Sequence, residues 1–341
     1  MFKAFVLIRN LKSNAKRLDF GEFTIELVAL RFKELREIFS SADVNEADWI
    51  LEKSYAVPSP GPSGSAVGGI PNDIEDILLV LRLYKVGDIS FIRQAIMQPS
   101  GRTALQLPYR AINDLNSYSR PSLQFQFECR ECELWNAFAK SVRESRSWNS
   151  DWFSVARQFF LYGGANPFNP EFDDGDRIVY YATALEAALV FESDFNTRRI
   201  SRRAGKLVAP GDANEEEAIT TLIKKVYGMR SGIVHGSKLS TKDKEWLIQN
   251  CLRVEHRVRQ VLSTAVQTLP ADEAERRAAL VQIFDPTDND RGAEALDKFK
   301  KIKTPEVKER IAVETLKLLR LGAFRLLRIF WRAAFTRSRA S

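Results

Sequence analysis

Hydrophobic and polar positions change rhythm once along this chain. Near the start, Phe2-Lys-Ala-Phe-Val-Leu-Ile8 and Phe20-Gly-Glu-Phe-Thr-Ile-Glu-Leu-Val28 are rich in aromatic and β-branched residues. Such runs predict strands. A third strand is expected over Asp48–Ala56, with a short helix over Phe32–Phe39 between them. Residues 57–72 hold four prolines and four glycines, the composition of a flexible loop. Asp73–Tyr84 predicts a helix capped by Asn72 or Asp73. Strands are expected near Ile89–Ile92 and Thr103–Tyr109.

From Glu131 onward the apolar residues recur every three or four positions, which predicts helices. They are expected over Cys132–Arg146, Trp152–Tyr162, Asp176–Glu192, Thr197–Val208, Glu215–Tyr227, Lys242–Thr268, Ala271–Phe284 and Pro305–Phe335. Gly163-Gly164 and Pro210-Gly211 are expected at connections. No internal repeat is apparent. The fold class expected is an α+β N-terminal domain over 1–130, an all-α bundle over 131–285, and a linker with a C-terminal helix over 286–341.

A length of 341 residues fits two domains. No run approaches the ~20 apolar residues of a membrane span, and the N-terminus lacks the pattern of a signal peptide. Three cysteines do not make a disulfide framework, so a cytoplasmic location is expected. Cys129-Arg-Glu-Cys132 has a metal-like spacing, but the other soft donors are scattered and free thiols are expected. Asp173, Asp174 and Asp176 read as an acidic helix start. Neither a metal nor another cofactor is expected.

Charge narrows the partners. Residues 301–341 contain eleven Lys/Arg and three Glu, a net +8, whereas the whole chain is +7. Residues 1–300 therefore sum to −1, and the basic pI belongs to the tail. If that tail is helical, Lys317, Arg320, Arg325, Arg328 and Arg332 fall within about 140° of arc. A basic amphipathic helix fits an anionic membrane surface, a protein partner or its own domain.

The densest chemistry lies at residues 227–238. Arg230 and His235 form R-x4-H, and His235 is one of two histidines. A guanidinium holds a phosphate by paired hydrogen bonds, and an imidazole transfers protons near neutral pH. On one unbroken helix they point about 140° apart. The helix must then break near Gly232, or a second subunit must complete the site.

Met229-Arg-Ser-Gly-Ile-Val-His-Gly236 resembles the motif of the Apea-like HEPN domains. Upstream, Asp176–Leu189 is similar to that group's helix around "ALEALL", and Arg199–Val208 to its "RAAxLL" helix. The resemblance spans roughly residues 150–267. It implies an all-α domain that homodimerises, cleaves RNA without metal and serves in antiphage defence. His235 would be general base or acid, Arg230 would hold the phosphorane charge, and Ser231 would bond phosphate or ribose. Read from the residues themselves, Glu186 either orients Arg230 or His235 or lies on a solvated face, Tyr227 either stacks on a base or packs in the core, and Lys224, Lys225, Arg230 and Lys238 could form a basic patch. The alternatives are a purely structural pair, with Arg230 bonded to an acidic residue and His235 capping a turn; a non-catalytic HEPN module that binds nucleotide, RNA or protein; and a peripheral membrane adaptor.

Overall fold

The computed structural model describes residues 1–56, 69–87, 89–108, 124–164, 174–192 and 196–285. The C-terminal helix expected over Pro305–Phe335, most of the loop expected at 57–72, and Asp173 lie outside these residues.

The N-terminal runs build a six-stranded antiparallel sheet, with β1 (Phe2–Arg9) flanked by β5 (Trp49–Tyr55) and β6 (Ser90–Met97). Beyond β5 come β4 (Phe23–Leu27) and β3 (Arg17–Asp19); beyond β6 comes β7 (Thr103–Pro108). A two-residue strand β2 (Leu11–Lys12) pairs in parallel with β8 (Phe125–Gln126). β1 is apolar at almost every position because both sheet faces are covered. Ala4, Val6 and Ile8 enter the main core, while Phe5 and Leu7 meet a smaller cluster. That cluster is closed by Leu35 and Ile38 of α1 (Phe32–Ile38) and Val44 of α2 (Ser41–Glu46).

On the main-core face lies α3 (Ile70–Tyr84). It begins three residues before the expected Asp73 because Pro71 suits a first helical turn, where its missing N–H costs nothing. The helices that follow are α4 (Glu131–Arg143), α5 (Asp151–Gly164), α6 (Asp174–Leu189) and α7 (Asn196–Val208). The last three are α8 (Ala213–Val234), α9 (Thr241–Thr268) and α10 (Glu273–Ile283). α6 is central, touching α5, α7, α8 and α9.

Two expectations need correction. Gly163 and Gly164 end α5 instead of connecting it onward. A Cβ on Gly163 would come within 2.4 Å of the Tyr181 ring, and one on Gly164 within 1.4 Å of Arg82 Nη2. Glycine here permits close packing. The expected boundary at residue 130 does not divide two cores. One continuous apolar cluster runs from Phe2 through α3 to Leu280. Phe20 and Phe23 of the N-terminal part pack on Trp135 of α4 with ring centroids 5.0 and 5.3 Å away. Each such buried aromatic contributes about 1.5–3 kcal/mol.

The same junction holds buried charge. Glu255 of α9 lies between Arg82 of α3 at 3.9 Å and Arg177 of α6 at 3.8 Å. Arg259, one turn on, donates to the Tyr84 carbonyl at the end of α3. Among the described residues, no helix is long and apolar enough to cross a membrane.

Candidate active site

The candidate site is built on the last two turns of α8 and the facing end of α6. α8 begins at a sound cap: Asp212 accepts from the amides of Asn214 and Glu215. It was expected to stop at Tyr227. It continues to Val234, with Gly228 and Gly232 inside it. The cost of two helical glycines, about 1 kcal/mol each, is offset by the apolar stripe Ile219, Leu222, Ile223, Val226 and Met229, all buried.

The helix then ends in a Schellman turn. The Gly236 amide donates to the Ile233 carbonyl and the Ser237 amide to the Gly232 carbonyl, each at 2.9 Å. Gly236 sits at φ +78°, a conformation that glycine adopts without strain. The His-Gly pair therefore has a backbone cause. His235 is the C-cap, with φ −88° and ψ 16°, and Gly236 must reverse the chain directly after it.

No helix break separates Arg230 from His235. Their side chains stay about 140° apart. Arg230 turns inward, and its Nη2 donates to Glu186 Oε2 of α6 at 3.0 Å. Its guanidinium carbon lies 5.4 Å from the centroid of the Tyr227 ring. Tyr227 is buried, and its hydroxyl donates to Glu186 Oε1 at 2.9 Å. That excludes base stacking by Tyr227; its ring instead underlies the arginine. Burial, and then the bonded Glu186 carboxylate, push the Tyr227 phenol above its ordinary range. Among the described residues, Arg230 Nε is buried without a hydrogen-bond partner.

Glu186 itself is held firmly. Asn196 at the start of α7 donates to Oε1 at 3.4 Å, a contact that no sequence pattern announced. The last carbonyls of α6 are capped by cations. Arg276 Nη1 donates to the Ala188 carbonyl at 3.0 Å, and Arg203 Nη1 donates to that of Leu189 at 2.7 Å. Positive charge is favourable at a helix C-terminus, and here it fixes the turn that carries Glu186.

Comparison of the chain with family models, curated proteins and solved structures found no match.

The remaining candidates stand on the opposite side of α8. His235 and Lys238 are exposed. Ser231 is half-buried, and its carbonyl accepts from the His235 amide at 3.2 Å. Beside them runs a groove of about 560 Å3 between α8 and the start of α9, lined by Lys224, Lys225, Gly228, Gly232, Lys238 and Ser240. The structure thus joins Arg230, Glu186 and Tyr227 in one cluster. It places His235, Lys238 and the lysine pair on another face.

Among the described residues no group of three or more His, Cys, Asp or Glu could hold a metal. Cys132 and Cys251 are buried and Cys129 is exposed. Burial pushes the Cys132 thiol up to about 11. Asp174 opens α6, as the acidic stretch led one to expect.

Proposed function

We propose that this chain is a HEPN-type endoribonuclease that cleaves RNA without metal, as a homodimer. In this reading Arg230 of one protomer and His235 of its partner flank one scissile phosphate. The ribose 2′-hydroxyl loses its proton to one histidine and attacks the adjacent phosphorus. The P–O5′ bond breaks, and the leaving oxygen takes up a proton. The products are a 2′,3′-cyclic phosphate and a 5′-hydroxyl. Arg230 neutralises the extra negative charge of the phosphorane, and Ser231 bonds phosphate or ribose.

The observation that carries this reading is the state of Arg230. One Nη is anchored by a carboxylate held by Tyr227 and Asn196, while Nε is buried with no acceptor among the described residues. The Arg230 side chain stays 22 % exposed, so a phosphate oxygen can reach the guanidinium that Glu186 holds in place. The outward placement of His235 supports a second protomer, because one chain does not bring the pair together. A role in antiphage defence accords with the resemblance of Met229–Gly236 to the HEPN motif.

A second reading has its own support. Glu186 already balances the charge of Arg230, as it would in a HEPN module that binds RNA or protein without cutting. The test is purified protein with total RNA, followed by mapping of the new ends. Cyclic phosphate ends are expected, and Arg230→Ala and His235→Ala should each lower the rate at least ~100-fold, the usual range for a lost general acid–base or charge-stabilising group. Undiminished cleavage by both variants would end the proposal.

A further inference from the structure

Resting on that reading, we propose that the groove between α8 and α9 is a phosphate track for single-stranded RNA leading to His235. Its floor is backbone. Gly228 and Gly232 face it four residues apart on α8. A Cβ on Gly228 would meet nothing within 4 Å, and one on Gly232 only Ser237 Cβ at 3.9 Å. A strand can therefore lie close against the helix. His235 follows Gly228 by seven residues, within about 20° on the helix surface, so it stands at the end of this same face.

The walls carry uncompensated positive charge. Lys225 bonds Asp243 at 2.5 Å, so that pair is neutral. Lys224 and Lys238 line opposite sides, on the helix and on the turn after it, and neither is ion-paired among the described residues. The N-terminus of α9 adds little, because Ser240 and Asp243 already satisfy it. Two free ammonium groups over a glycine floor fit the backbone of a polyanion.

The volume of about 560 Å3 is that of a cleft for a small ligand, room for one or two nucleotides of a strand but not for a duplex. A second copy of the chain is the competing occupant. It fits less well, because a two-fold interface places a patch against itself, and lysines would then face lysines.

The test measures binding alone, in the His235→Ala background so that the probe stays intact. A labelled short oligouridine is titrated at several salt concentrations. Lys224→Gln with Lys238→Gln should weaken binding about tenfold and lower the slope of log affinity against log salt by about 1.4, the release expected for two phosphates of a single strand. Gly228→Leu leaves the charge unchanged, favours the helix and fills the track; it should also weaken binding. Unchanged affinity and slope in these variants would overturn the track, as would equal binding of a duplex of the same length. If Gly228→Leu dissociates a dimer and spares RNA binding, the groove belongs to a second copy. Cleavage that survives loss of Arg230 and His235 would refute the nuclease but leave this binding test intact.

Discussion

At the scale of residues, the site depends on one glycine as much as on its charged groups. Gly236 lets the chain reverse directly after His235 by adopting φ +78°. Gly236→Ala should destabilise the protein by about 1 kcal/mol, and Gly236→Asn by less, since asparagine tolerates the left-handed region. Urea unfolding checks the order; alanine as stable as glycine would mean that the turn is not required. Arg230 and His235 stood out by residue type, but the side chains alone fitted a structural role, and the resemblance of Met229–Gly236 to the HEPN motif is what pointed to chemistry. The partner of Arg230 was legible as a possibility, because a lone glutamate in Ala-Leu-Glu-Ala-Ala-Leu stands out. Asn196 was not, because nothing in its neighbourhood marks it. Tyr227 left two readings, base stacking or core packing, and its position on α8 turns it into the core.

Between elements, Arg259 of α9 donates to the Tyr84 carbonyl at the end of α3, and within α9 the same guanidinium has a second contact that proton uptake would break. Arg259 Nη2 lies 2.7 Å from His256 Nδ1. Burial, then the cations Arg259 and Arg257, hold the His256 imidazole below its ordinary value of 6.5. The fold therefore favours neutral His256, and its stabilisation is complete above that ordinary value. As pH falls through 6.5 the unfolded chain takes up a proton that the fold refuses, and stability is lost. The urea midpoint should fall between pH 7.5 and pH 5.5 (about one unit either side of the ordinary imidazole value). His256→Gln, which keeps an acceptor without titrating, should flatten that dependence. An identical pH profile in the variant would refute the assignment. The elements themselves were legible where periodicity is strong, in β1, β5, α7 and α9. The reading failed at glycine: Gly163 and Gly164 were taken as a connection and Gly232 as a possible break. Tertiary contacts override weak propensity at the first two, and a buried stripe does so at the third.

At the scale of the molecule, the N-terminal sheet and the helices share one core, which the change of rhythm near residue 130 concealed. Periodicity reports the shape of each element, not the partner against which it packs. The shared core gives the sheet a physical route to the site, since α3 meets α9 and α9 meets α6. The central claim concerns how the site is completed. Arg230→Ala and His235→Ala proteins, each inactive, are mixed, unfolded and refolded together, and RNA cleavage is measured. If each site takes its arginine from one protomer and its histidine from the other, half of the dimers are mixed and each carries one intact site. Cleavage should then return to roughly a quarter of the wild-type rate, as random pairing in a two-fold dimer dictates. A mixture as inactive as its two components would contradict the account.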